Sequence, residues 1–287
     1  MKKKIIPQIR YNYSERGAMK NCIFVMLIVS ILAGQVFCAQ QNTSSGAGMF
    51  ALPHMPSPET YGEIFMDGAS AAKQLGPVRF PHWIHRVKYT CRVCHYELDF
   101  AMKAKETPIV CDNGRMGGRF CVTCHNGKIS FAPKDANGEN CTGCHGFNAS
   151  SKWTKFRELQ NTLPSARFGN EINWAKALED GLIKPADSLS DKKSSLVNIN
   201  KTFTLQAELS GISSAIFPHK SHELWLDCSS CHPDLFNIKK KSTESLRMSN
   251  MVKGQSCGLC HLNVSFPLDD CVRCHPAMKN YRPDFRK

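Results

Sequence analysis

One pattern constrains this chain more than any other: Cys, two residues, Cys, His. It occurs six times, as Cys91-Cys94-His95, Cys121-Cys124-His125, Cys141-Cys144-His145, Cys228-Cys231-His232, Cys257-Cys260-His261 and Cys271-Cys274-His275. These copies take up twelve of the fifteen cysteines. Cys22 and Cys38 sit near the N-terminus, which leaves Cys111 as the one cysteine beyond residue 38 outside the pattern.

Three chemistries use closely spaced cysteines, and the invariable histidine decides between them. Zinc ribbons pair Cys-x-x-Cys units but need no histidine after each one. A disulfide scaffold has no use for a fixed following histidine. A c-type haem uses all three residues. Cysteines three apart on one helical turn face the same way. They can form thioethers to the two vinyl groups of a porphyrin, with the histidine beneath the iron as proximal ligand. The chain is therefore expected to bind six covalently attached haem c groups, with His95, His125, His145, His232, His261 and His275 as proximal iron ligands.

Five of the eleven histidines remain: His54, His82, His85, His219 and His222. Four of them form matched blocks, "FPHWIH" (80–85) and "FPHKSH" (217–222), each ending six residues before the first cysteine of a motif. Recurrence at one offset reads as distal iron ligation by His82, His85, His219 and His222. His54, alone in "ALPHMPSPE", reads as a surface residue, with a spare-ligand role for the first half as the alternative. Two distal histidines per half leave one haem per half without such a partner, and methionine is the natural substitute. The distal candidates are Met248 and Met251 in "RMSNMVKGQSC" and Met116 in "CDNGRMGGRFC". An ungapped alignment from Phe100 and Phe236 sets Met248 against Asp112 and Met251 against Arg115; a one-residue slip brings Met116 opposite Met251. The alternative is that these methionines only pack against porphyrin.

The halves are an internal duplication. His82 and His219 are 137 residues apart, and the first-to-middle motif spacing is 30 residues in one half and 29 in the other. The last interval is 20 against 14, which places an insertion at "FAPKDANGEN". The expected organisation is a signal peptide (1–38), an N-terminal extension (39–75), triheme module 1 (76–148), a helical connector (149–212) and triheme module 2 (213–280). A chain of about seventy residues buries little apolar surface by itself. The haems are expected to supply the module cores, in a mostly irregular fold with short α-helices. Within the connector, "NEINWAKALEDGLIKP" predicts a helix capped by Asn170, with Ile172, Ala175 and Leu178 on one stripe and Gly181 and Pro185 ending it.

The run "IFVMLIVSILAG" (23–34) follows Lys20 and is short for a membrane span, which fits a secretory signal peptide. Periplasmic or exported localisation follows; a lipid anchor on Cys38 or an uncleaved membrane anchor are the lesser readings. The net charge is +13; residues 1–38 hold six Lys/Arg against one Glu, so the mature chain carries about +8. Export argues against nucleic acid as the partner of this charge. Haem propionates, two per haem, offer an internal counter-charge, and lysines near exposed haem edges would steer acidic redox partners.

The blocks "FPHWIH…CRVCH…CVTCHNGKISF…CTGCH" and "FPHKSHELWLDCSSCH…CGLCHLNVSFPLDDCVRCH" resemble the cytochrome c7-type triheme family, related to cytochrome c3. The resemblance covers roughly residues 76–148 and 213–280 and implies two tandem triheme modules of a class III multihaem cytochrome. It implies that His82 serves the haem of His95, His85 that of His125, His219 that of His232 and His222 that of His261. The simplest relatives ligate their third haem with a histidine shortly before the middle motif, which this chain lacks in both halves. Tandem relatives place a methionine there, most like Met248, whereas the first half has Asp112.

The expected function is electron transfer by an exported hexahaem cytochrome, as carrier or conduit in anaerobic respiration, with redox proteins as partners and no small-molecule substrate. A haem-based reductase with an open iron on His145 or His275 is one rival. A haem-bearing subunit of a membrane redox complex, peripherally associated, is the other.

Overall fold

In the computed structural model, residues 52–67, 70, 75–109, 118–135, 138–139, 141–146, 149–190, 199–207, 211–237 and 246–279 are described, all within one unit, Gly48–Arg286. Residues 1–38, expected to be a signal peptide, and Cys111 and Met116 lie outside them. Among the described residues no helix is long and apolar enough to cross a membrane.

Each half opens on the same device. Strand β1 (Glu63–Met66) pairs antiparallel with β2 (Val78–Pro81), from Glu63 opposite Pro81 to Met66 opposite Val78. Helix α1 (His82–Arg86) follows β2 directly. Proline stops the strand because it has no N–H for the ladder, and its fixed φ suits the residue before a first helical turn. Pro81 sits there in extended conformation. The insertion between the middle and last motifs of this half forms a small hairpin, β3 (Lys134–Asp135) with β4 (Gly138–Glu139). The last motif is helix α2 (Cys141–His145).

The connector folds as two helices. The first, α3 (Ala149–Thr162), precedes the one stretch of the helical connector for which a particular helix was expected. The second, α4 (Trp174–Glu179), is shorter than its sequence suggested. Its cap is Asn173, whose side chain accepts the Lys176 N–H, and not Asn170. Asn170 is buried instead, and its amide donates to the Pro58 and Tyr61 carbonyls at 2.7 and 2.8 Å. Buried Ile172, Trp174 and Ala177 replace the expected Ile172, Ala175, Leu178 stripe. Gly181, at φ 69°, ends the helix, as a left-handed glycine just past a helix does.

The second half repeats the first. Strand β5 (Thr202–Leu205) pairs with β6 (Ala215–Pro218) from Thr202 opposite Pro218 to Leu205 opposite Ala215. Helix α5 (His219–Glu223) follows at once. Then come α6 (Met248–Met251), α7 (Gly258–His261) and α8 (Cys271–Cys274). The repeating unit thus includes a strand from the stretch read as N-terminal extension and one from the stretch read as connector. The backbone before the middle motif is also duplicated. Gly118 and Phe120 precede Cys121 with φ 73° and 57°, and Gly254 and Ser256 precede Cys257 with φ 75° and 50°. A left-handed phenylalanine is costly, so its place in this turn is held by the surrounding fold.

The protein core is small. Trp83, Phe156, Ile172, Trp174, Ala177 and Ile183 form one cluster where α3 and α4 cover α1. The halves meet around the first motif of each: Arg92 N–H donates to the Trp225 carbonyl at 2.9 Å, and the Arg92 side chain pairs with Asp227. Thr90 and Ala186 bridge the connector to this joint through a 2.9 Å backbone bond. Between the halves and inside each runs a continuous cavity of about 1730 Å³, larger than the range typical of a single ligand pocket.

Candidate metal centres

The ten histidines of the blocks and motifs share one feature that the sequence did not reveal. Each presents Nδ1 to a backbone carbonyl. In the first half the acceptors are Gly62 for His82 (2.7 Å), Pro81 for His85 (3.0 Å), Phe100 for His95 (2.9 Å), Phe131 for His125 (3.2 Å) and Gly76 for His145 (2.6 Å). The second half matches each in turn: Lys201 for His219 (3.2 Å), Pro218 for His222 (2.9 Å), Phe236 for His232 (2.5 Å), Phe266 for His261 (2.9 Å) and Ser213 for His275 (2.6 Å). A carbonyl only accepts, so Nδ1 must carry the proton. In the neutral imidazole the lone pair is then on Nε2, the arrangement that metal-binding histidines adopt.

Burial keeps several of these rings neutral. It pushes His82 down to about 3 and His261 down to about 4, against the lifting effect of their carbonyl partners. His85, His95, His125 and His222 are lowered by the same cause. The thiols move the other way. Desolvation pushes the free thiols of Cys94, Cys260 and Cys274 up to about 12 and that of Cys257 up to about 11.

Ring pairs have the separation that a shared metal requires. The centroids of His85 and His125 are 6.3 Å apart, and those of His222 and His261 are 6.1 Å apart. Two imidazole nitrogens each about 2 Å from one metal, with the ring centres roughly a bond length behind, give centres about 6 Å apart. His82 and His95 are near enough for the charge of one to disfavour that of the other. Among the described residues, no three His, Cys, Asp or Glu side chains converge on one point. Paired imidazoles facing a large apolar cavity suit haem.

The phenylalanine of each block has a role that its recurrence alone could have signalled. Phe80 stacks on His85 at 4.3 Å and meets His82 edge-on at 4.9 Å. Phe217 does the same to His222 at 4.5 Å and His219 at 4.9 Å. One ring thus packs against both imidazoles of its block. The third histidine of each half returns to the module's start: His145 binds Gly76 just before β2, and His275 binds Ser213 just before β6.

Met248 and Met251 are partly buried on α6 and line the cavity with His275. A Cβ at Gly258 would overlap the backbone of Met251, so the first variable residue of "CGLCH" must be glycine for α6 to lie on the middle motif. Met116 lies outside the described residues. His54 is exposed.

The family model of cytochrome c7 and related cytochrome c matches residues 78–146 and 215–276. Two solved structures are similar. The C-terminal hexaheme fragment of GSU1996 is 25% identical, covering 75% of this chain and 96% of that one, with a TM-score of 0.23. The dodecaheme cytochrome c GSU1996 is 21% identical, covering 74% of this chain and 73% of that one, with a TM-score of 0.24. No curated protein matches the chain.

Proposed function

The chain is a cytochrome c7-type multihaem c-type cytochrome built from two tandem modules, and we propose that it is an exported hexahaem electron carrier or conduit of anaerobic respiration. The observation that carries this reading is the common Nδ1 anchoring of ten imidazoles, which leaves ten Nε2 atoms available to iron. Bound haem c supplies one-electron redox chemistry at each motif.

The chain's own residues do the rest. The cysteine pairs Cys91/Cys94, Cys121/Cys124, Cys141/Cys144, Cys228/Cys231, Cys257/Cys260 and Cys271/Cys274 tether the groups at fixed spacing. His85 with His125 and His222 with His261 would each hold one iron between them. His82 with His95 and His219 with His232 serve the first position of each module. Met248 or Met251 completes the iron of His275, and Met116 that of His145. An iron held by two protein side chains would have no place for substrate, which would restrict it to electron exchange. The basic charge of the exported chain, about +8 once residues 1–38 are removed, offsets propionates and orients acidic redox partners.

Spectra of the oxidised holoprotein test this reading. Low-spin signals throughout, with a methionine–iron charge-transfer band, are expected. High-spin haem that binds nitrite or carbon monoxide rapidly would instead indicate a reductase site.

A further inference from the structure

The duplicated scaffold reverses charge at one position. Helix α1 ends in Arg86, and its counterpart α5 ends in Glu223. Glu223 turns to its own half, where its carboxylate oxygens accept the Ile199 N–H at 3.0 and 3.1 Å, just before β5. Arg86 reaches into the joint between the halves. Its guanidinium donates to the Val264 carbonyl at 2.8 Å, just beyond the middle motif of the second half, and lies over the Trp174 ring at 5.3 Å. It lines the cavity beside Cys91 and Cys260. Burial acts most on its charge and works against it; the groups that support it are Cys91, Tyr61 and Cys260, none of them a carboxylate. Tyr61 is itself engaged, donating its hydroxyl to the Ser265 carbonyl at 2.7 Å.

We infer that Arg86 is an electrostatic tuning residue, set to raise the reduction potentials of the haem tethered by Cys91/Cys94 and of the haem tethered by Cys257/Cys260. The inference rests on haem attachment at those two motifs. A thioether sulfur carries no ionisable proton, so once both cysteines are alkylated they cannot neutralise the guanidinium. Arginine stays protonated in proteins, and a peptide carbonyl and an aromatic face stabilise it without cancelling its charge. A fixed positive charge in a poorly solvated joint favours the reduced state of whatever redox group lies beside it. Because one neighbour belongs to each half, the same cation favours electron residence on both sides of the crossing between modules. At the position equivalent to Arg86 the second half has Glu223, and the cation that acts on His85, Lys152, is paired with the buried carboxylate of Glu63. Arg86 therefore makes two chemically alike modules electrically unlike.

The test is haem-resolved potentiometry on the full-length holoprotein, by NMR, for wild type, Arg86→Gln, Arg86→Lys and Glu223→Gln. In wild type the haems of His95 and His261 should have higher potentials than their counterparts of His232 and His125. Arg86→Gln should lower both by at least a tenfold change in reduction equilibrium, about 59 mV for a one-electron couple. Arg86→Lys should largely preserve them, and Glu223→Gln should leave the pair unmoved. Unchanged potentials in Arg86→Gln, an equal fall in Arg86→Lys, or a reversed order in wild type would each overturn the inference. The wild-type order decides the matter even where a variant fails to mature. Absence of haem on Cys91/Cys94 or Cys257/Cys260, read from peptide masses, would instead refute the attachment on which it rests.

Discussion

The imidazoles of His85 and His125 face each other with their ring centres 6.3 Å apart, and His222 and His261 repeat the relationship at 6.1 Å. In each pair the ring from the histidine block, His85 or His222, is fixed by a block phenylalanine, Phe80 or Phe217, and by the carbonyl of the proline that ends the preceding strand. A block at the start of each module thereby closes a site whose other half lies some forty residues later in the chain.

Removing one of these distal rings should open one iron and no other. His85→Ala and His222→Ala are each expected to create a single high-spin haem that binds one carbon monoxide per protein, by titration of the reduced form. His54→Ala, which removes an exposed residue, should bind none.

Acid should loosen the fold through the buried imidazoles. His82 and His261 titrate at about 3 and about 4 in the folded chain because burial disfavours their charged forms, against 6.5 for the free side chain. Below pH 6.5 the unfolded chain therefore binds more protons than the folded one. The stability is fully present above pH 6.5 and falls as pH drops toward 4, approaching ~1.4 kcal/mol per pH unit for each histidine. Iron coordination acts with the same sign. Denaturant midpoints between pH 7.5 and 4.5 measure the slope; a flat profile would contradict the buried neutral state.

Gly258→Ala tests the contact between α6 and the middle motif. The new methyl must displace the Met251 backbone, so a loss of about 1–3 kcal/mol is expected for an overpacked site. If Met248 or Met251 ligates the iron of His275, the methionine–iron band should weaken in the same variant. Met251→Ala and Met248→Ala then identify which sulfur is responsible.

The six motifs, the two histidine blocks and the duplication were legible in the sequence because each is a matter of residue type and spacing. The sequence did not carry the Nδ1 acceptors, since these are main-chain carbonyls and any residue supplies one: Gly62 in one half is Lys201 in the other. Nor did it carry β1 and β5, which are only four residues each and gain meaning from pairing with β2 and β6. Asn170 looked like a helix cap by position, but burial beside Tyr61 made its amide more useful to two carbonyls there.

The connector is expected to act as structural support. Trp83 and Phe156 pack edge to face at 5.2 Å and are almost wholly buried. Trp83→Ala or Phe156→Ala should each cost roughly 3–5 kcal/mol in denaturant unfolding monitored by far-UV circular dichroism. A loss well under 1 kcal/mol would show that the haems alone hold the first module together.

The central claim is that the six motifs are six haem tethers, and the intact mass of the protein under denaturing conditions addresses it most directly. Expressed in a host that matures c-type cytochromes, the chain should carry six haem increments that survive unfolding. A mass equal to the chain alone, or to the chain with internal disulfides or bound zinc, would contradict it.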